Sequence, residues 1–430
     1  MQTPHRRVKR HQAGMRALSL LIFDQMMIRS SPPEDKCGPN ARSSHPASPW
    51  EELQMGFGTK ARRLMLLAGL ATGALCAAAG AQAADKHKIF LSMSFIGNDW
   101  QAEAANMVKA MAAHHSMADK VDLQVQVAGP NAQRQIQQIN AMVQAGAEAI
   151  VIFPISPTAL NQVVRNACDK GVKVFAYDAE ITEPCAYNIH IDQEEAGRVT
   201  AEWLVGKLGG KGDIIAITGV PGTSVDAQRT KAAKEVFARH PDIRIVGEAV
   251  GMWSQAVART ELSKILATRS WDDIDGLWMQ VGCFTANSMQ IEAGKKPEEL
   301  LPCAGEGSNG GRIQMLPRGT EVEGAASPYA PLGAPRISYA SPPYSGALAL
   351  KLAVDALEGK DVPKLTILPL PLVTNDTIKL CEEGTWAEMK AGCNAFKPAL
   401  VSNPGWFASI FSERTPEVGL NAALVGQPEN

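Results

Sequence analysis

From residue 88 onward, short apolar runs alternate with amphipathic stretches, and this alternation limits the possible folds more than any single motif. "KIFLSMS" (88–94) reads as a strand running into a helix from about Asp99, with Ala102, Ala105, Met107 and Met111 on one small-residue face. "VDLQVQV" (121–127) alternates strictly, as a half-exposed strand does. "NAQRQIQQINAMVQAG" offers Asn131 as a cap, puts Ile136, Ile139 and Val143 on one face and stops at Gly146. "AIVIFP" (149–154) is continuously apolar, the pattern of a strand covered on both faces. Ser156-Pro157 opens the next helix, with proline in a first-turn position where its missing donor costs little. "VKVFAYD" then carries Asp178 to a strand's carboxyl end, and "DIIAITG", "IRIVGEAV", "DGLWMQ" and "LLPCAGEG" continue the series. Strands alternating with helices imply parallel sheets with helices on both faces. The series occurs twice, before and after about residue 190, so the expected class is α/β with two doubly wound, Rossmann-like lobes.

The first 83 residues read differently. Residues 1–54 are rich in Pro, Ser and Arg without periodicity, as in a disordered leader or a start assigned too early. Residues 55–83 have a basic start (Lys60, Arg62, Arg63), an apolar run from Leu64 to about Ala79 and the triplet Ala81-Gln82-Ala83, which predicts a secretory signal peptide cleaved before Ala84. Residues 84–430 carry 31 basic and 39 acidic side chains, a net charge of −8. That balance argues against nucleic acid as a partner, because phosphate binding needs a basic surface. Six of the eight cysteines lie beyond the prefix, and an exported chain meets an oxidising compartment. Their spacing predicts three local disulfides, Cys168 with Cys185, Cys283 with Cys303 and Cys381 with Cys393, rather than a metal site.

In open parallel sheets, ligands collect outside the carboxyl ends of the strands. The polar and aromatic residues expected there are Asn98, Asp99 and Trp100, then Phe153 and the Pro154–Ser156 turn, Asp178, Asp192, "TGVPGTS" (218–224), Trp253, Gln280 and Glu306, with Arg229 as the basic member. Carboxylates and aromatics together suit a neutral polyhydroxy ligand, whose hydroxyls want bidentate partners while its C–H faces lie on rings. Several of these residues have structural alternatives. Asp99, Ser156 and Ser224 are candidate helix caps, Trp100 and Trp253 candidate core residues, and Arg229 a candidate ion-pair partner on its own helix face. GxSxG, HExxH and GxxxxGK[ST] are absent from the sequence, and no cofactor is implied.

The blocks "GAEAIVIFPISPTALNQVVRNACDKGVKVFAYD", "IDQEEAGRVTAEWLV", "GDIIAITGVPGTSVDAQRTKAAKEVF" and "EAGKKPEELLPCAGEG", in this order and spacing, resemble the ribose-type periplasmic sugar-binding proteins of bacterial ABC importers, of the type I periplasmic binding fold. The likeness runs from Lys88 to about Gly359. It implies two lobes joined by three hinge strands around one sugar-like molecule, a monomer in the periplasm, and an importer permease as partner. It also implies that Trp100 and Trp253 stack on the sugar, that Asp178, Arg229 and Gln280 are polar ligand contacts, and that Ser341 is the polar residue at the final crossover. Asp99, Ala179 and Glu306 depart from the usual pattern. The expected division is 84–191 plus 340–362 for the N-terminal lobe, 192–339 plus 363–402 for the C-terminal lobe, and 403–430 as an extension laid on the surface, with 312–336 a surface excursion. Rival readings are a ligand-presenting sensor for a membrane receptor and an exported α/β hydrolase or lyase. LacI-like repressors share the fold, but the export signal and acidic charge argue against them.

Overall fold

The computed structural model describes residues 85–429, so the expected leader and signal peptide lie outside the described residues. The first half of the chain runs β1 (His87–Met93), α1 (Asp99–Ala113), β2 (Val121–Val127), α2 (Ala132–Gln144), β3 (Ala149–Phe153), α3 (Asn161–Asp169), β4 (Lys173–Tyr177) and β5 (Tyr187–Ile191). The second runs α4 (Gln193–Lys207), β6 (Gly212–Thr218), α5 (Ser224–Ala238), β7 (Ile243–Val250), α6 (Gln255–Leu266), β8 (Gly276–Met279), α7 (Cys283–Glu292), β9 (Cys303–Glu306), α8 (Asn309–Met315) and β10 (Arg336–Tyr339). The chain returns to the first half as α9 (Ser345–Leu357) and β11 (Leu365–Leu368). It ends with β12 (Leu372–Thr374), β13 (Leu380–Cys381), α10 (Trp386–Lys390), β14 (Ala395–Phe396) and α11 (Leu420–Val425).

Two six-stranded sheets result, β11-β5-β4-β3-β1-β2 and β12-β10-β9-β8-β6-β7. All their pairings are parallel except β10 with β12. The continuous apolar strands are buried on both faces, β3 completely, as their sequence pattern requires. The α/β class with two lobes holds, and between the elements of the two sheets the chain crosses three times, at β5–α4, β10–α9 and β11–β12. The three expected cysteine pairs are bonded.

Four boundaries differ from the sequence reading. Ser156 caps a turn, accepting from the backbone N–H of Thr158 and Ala159, and α3 starts only at Asn161. The last crossing lies at residues 369–371 rather than before 363, because Leu365–Leu368 adds a parallel edge strand to β5. The stretch 312–336 is a surface excursion only in its middle, since Arg312, Ile313, Gln314 and Met315 belong to buried α8 and Arg336 opens buried β10. The final extension is not laid on the surface: Trp406, Phe407, Ile410, Val418, Ala422 and Ala423 join the core of the first half. Burying each of its larger apolar side chains is worth about 1.5–3 kcal/mol, enough to fix a segment with little regular structure.

Helices α4 and α5 pack backbone to backbone where Gly197 faces Arg229. A Cβ at position 197 would sit 2.2 Å from the Arg229 carbonyl oxygen, so the contact exists only with glycine. Gly197→Ala should therefore destabilise the protein by about 1–3 kcal/mol through overpacking. Gly206→Ala, on the same helix with open space around it, should be neutral or stabilising by up to about 1 kcal/mol. Urea titration of both variants checks this, and equal stabilities would refute the close contact.

Candidate functional site

The carboxyl ends of both sheets face one narrow cleft, lined by Asn98, Trp100, Gln101, Asp178, Val225, Arg229, Trp253, Glu306, Ser341 and Phe407. Each lining side chain is aimed by a local feature of the chain. Asn98 caps α1 by accepting from the Gln101 N–H at 2.9 Å, which starts the helix just as β1 ends. The next residue but one, Trp100, is buried; its indole N–H donates to the Ser341 carbonyl at 2.7 Å and its ring stacks on Tyr177. Asp178 follows β4 with φ 60°, and Met252 and Trp253 follow β7 with φ 54° and 49°. These are the three non-glycine residues with left-handed backbone among the described residues, and all lie at strand ends by the cleft. Such strain persists where surrounding structure holds it, commonly at functional sites. Trp253 is held by its indole N–H donating to Gln280 Oε1 at 2.7 Å. Gly219 leaves room for that ring, since a Cβ there would lie 2.1 Å from the indole nitrogen.

A polar network closes the floor of the cleft. Arg229, on α5, donates from Nε to Gln193 Oε1 at 2.7 Å and from Nη1 to Glu306 Oε2 at 3.1 Å, and its guanidinium lies over the Tyr339 ring. Gln193 donates to Asp178 Oδ1 at 3.2 Å. Ser341 donates its hydroxyl to Asp178 Oδ1 and its N–H to Glu306 Oε1 at 3.0 Å. Burial pushes the Asp178 and Glu306 carboxyls above the usual range, with Arg229 pulling both back down. Burial works against the Arg229 charge, and Glu306, Tyr339 and Asp178 more than offset it, so Arg229 stays protonated. Its Nη2 has no partner in the protein. One fixed cation between two carboxylates, walled by aromatic rings, can hydrogen-bond hydroxyls in both directions while repelling added negative charge.

Asn98, Trp100, Asp178, Arg229, Trp253, Glu306 and Ser341 come together as the sequence reading expected. Four others do not line the cleft. Asp99 sits beside it, half-buried, accepting from Asn403 Nδ2 at 2.8 Å; it is neither the cap nor a cleft wall. Phe153 is core, packed under Trp100. Asp192 is exposed and caps α4, accepting from the Glu195 N–H. Gln280 is a layer back, fixing Trp253 and donating to Asp226 Oδ1 at 2.9 Å. Likewise Thr223, not Ser224, caps α5, and the Ser224 hydroxyl accepts from the Glu180 N–H of the other lobe. Gln101, Gln193, Val225 and Phe407 were missed. Gln193 adjoins Asp192 at the start of α4 and could have been found by asking which of the two turns inward. Phe407 carried no signal, because it comes from the extension.

A sequence profile described as periplasmic binding protein domain matches residues 89–361. The xylitol-binding protein of Mycolicibacterium smegmatis is 26% identical over 184 residues, 42% of this chain and 52% of that protein. The galactofuranose-binding protein of Escherichia coli is 24% identical over 217 residues, 48% of this chain and 67% of that one. The chain thus spans about half the length of the first of these relatives. A solved ABC transporter solute binding protein from Thermobispora bispora superposes with a TM-score of 0.61 at 26% identity, covering 76% of this chain and 92% of that one.

Glu103, one turn beyond Trp100, is buried and accepts from the Phe407 N–H through Oε1 at 2.9 Å, while Oε2 has no partner. Burial holds its pKa well above the ordinary range, against a smaller opposing pull from the Phe407 N–H. A carboxyl that stays protonated when folded but ionises when unfolded loses stability as pH rises from about 4.3, the free glutamate value, through its raised folded value. Below that window both states are protonated and no difference remains. Glu103→Gln keeps the acceptor for Phe407 and removes the titration. Its stability should match the parent near pH 4 and exceed it at pH 7, each tenfold of displaced proton affinity being worth about 1.4 kcal/mol. Urea midpoints across that range measure the gap, and parallel curves would mean Glu103 ionises freely.

Proposed function

The chain belongs to the periplasmic binding protein family, and on that premise we propose that it captures one small neutral sugar or polyol in the cleft between its lobes and hands it to the permease of an ABC importer. The ligand is released chemically unchanged; the family consists of solute-binding proteins. The observation that carries the ligand class is the buried Arg229 Nη2, a donor without a protein partner, set between Asp178 and Glu306. A ligand hydroxyl that accepts from Nη2 and donates to one of the carboxylates pairs with both groups at once, and Trp100, Trp253 and Phe407 offer apolar faces for the ligand's C–H edges. A carboxylate or phosphate ligand would add charge to a pair of acids already short of solvent. Similar proteins named for binding xylitol and galactofuranose support the same neutral, hydroxyl-rich class. Export by the signal at 55–83, residence in the periplasm and action as a monomer complete the proposal.

Asp178→Asn tests it cleanly, because Asn tolerates the left-handed backbone that Asp178 requires. Loss of a charge-assisted hydrogen bond should cost about 1.5–3 kcal/mol, roughly tenfold to a hundredfold in affinity. Calorimetry of the exported protein against neutral polyols, aldoses and sugar acids provides the measurement. Binding of sugar acids alone, or chemical conversion of a bound sugar, would sink the proposal.

A further inference from the structure

After β12 the chain does not simply end on the second lobe. Residues 375–402 lie there, with Asn375 Oδ1 accepting from the Arg336 N–H at 3.0 Å, Asn394 O from Arg312 at 2.8 Å, and the Phe396 N–H donating to Asn309 at 2.8 Å. Residues from 411 onward lie on the first lobe, where Lys351 of α9 holds the Arg414 carbonyl and Glu417, and Asn106 of α1 donates to the Ala423 carbonyl at 3.2 Å; they also touch the preceding segment directly, Phe411 packing edge-on against Trp386 and Glu413 pairing with Lys390 at 2.8 Å. The short segment between, 403–410, touches both sides. On the second lobe its Pro404 and Trp406 carbonyls accept from the Gly310 and Asn309 N–H groups at 2.9 and 2.5 Å, and its Ala408 N–H donates to the Gly307 carbonyl. On the first lobe Asn403 donates to Asp99 and the Phe407 N–H donates to Glu103. From the middle of this bridge the Phe407 side chain forms part of the cleft wall.

We propose that residues 403–410 form a fourth connection between the lobes, which restrains their opening and, through Phe407, sets the size of ligand that fits. The size-limiting role rests on the reading of the cleft as the ligand site; the restraint does not. The three β crossings all lie on one side of the site, at the sheets' shared hinge. The bridge instead joins the N-terminal turn of α1 to the loop before α8, so separating the lobes must peel it from one of them. The lost contacts would be either the Asp99 and Glu103 bonds or those to Gly307, Asn309 and Gly310, and in both cases Trp386–Phe411 and Lys390–Glu413 part as well. The first set is the smaller, and Asp99–Asn403 is its one bond between two side chains, the contact that substitution removes.

Two readouts test the two parts. Spin labels at exposed Lys109 and Lys231 report the distance between lobes in ligand-free, full-length protein. Asp99→Ala with Asn403→Ala should shift the distribution to longer distances, and an unchanged distribution overturns the restraint whether or not any sugar binds. Calorimetry with erythritol, xylitol and sorbitol reports the size limit. Phe407→Ala should change the sorbitol-to-erythritol affinity ratio at least tenfold in favour of the larger polyol. A uniform loss for all three, or none, overturns the role of Phe407. Should Phe407→Ala not fold, Phe407→Leu, which keeps an apolar side chain, must shift the ratio in the same direction. Failure of the unaltered protein to bind any of the three sinks the ligand reading and the size limit together, while the distance measurement still decides the restraint.

Discussion

The structure depends on a buried guanidinium. Arg229 is 1% exposed, between Glu306 and Asp178, which are 5% and 6% exposed. Removing such ions from water costs several kcal/mol each even after relaxation, and their attraction offsets this only when hydrogen bonds are nearly complete. The completing groups come from the places where the chain changes lobe. Gln193 stands just after the first crossing and Ser341 just after the second, and both reach Asp178. The first lobe contributes Asp178, the second Arg229 and Glu306, so the network is whole only when the lobes are together. Opening the cleft separates Asp178 from Gln193 and the Ser341 N–H from Glu306, but leaves Ser341–Asp178 within the first lobe and Arg229–Glu306 and Arg229–Gln193 within the second. A ligand that bridged Arg229 Nη2 to Asp178 would be held by both lobes only when they are together, which is the differential affinity that any ligand-driven closure requires.

Most of the lobes was legible in the sequence, and for a physical reason. Strands covered on both faces must be continuously apolar, as β3 and β4 are, and helix caps such as Asn131 mark the starts between them. The carboxyl-edge rule then located six of the eleven named site residues in the cleft, because it depends only on where strands end, and the family resemblance added Ser341. It failed where burial is decided by direction rather than position. Asp192 and Gln193 are adjacent, yet one caps α4 in solvent and the other turns into the network. Asp99 was a reasonable ligand candidate until the extension supplied Asn403 to occupy it. The extension itself was illegible, since its core residues Trp406, Phe407 and Ile410 sit in a chain without periodicity, anchored by tertiary contacts alone.

The acidic surplus in the cleft has a further consequence for recognition. Asp178 and Glu306 flank one arginine, Glu103 and Asp99 lie beside the cleft, and burial pushes three of the four above the usual carboxyl range. A carboxyl that retains its proton is a donor as well as an acceptor, so the site's hydrogen-bonding character is not fixed by residue names alone. Asp178 and Glu306 are pulled back toward ionisation by Arg229, whereas Glu103 has no such cation among its influences. The result is graded, with charge-assisted acceptors beside Arg229 in the cleft wall and, behind that wall under the bridge, a carboxyl that burial biases toward its neutral form. Hydroxyl groups, which donate and accept with equal ease, match the cationic donor and the carboxylate acceptors of that wall without a change in protonation. That match, more than any single contact, is the ground on which a neutral polyhydroxy ligand is proposed over acids or amines.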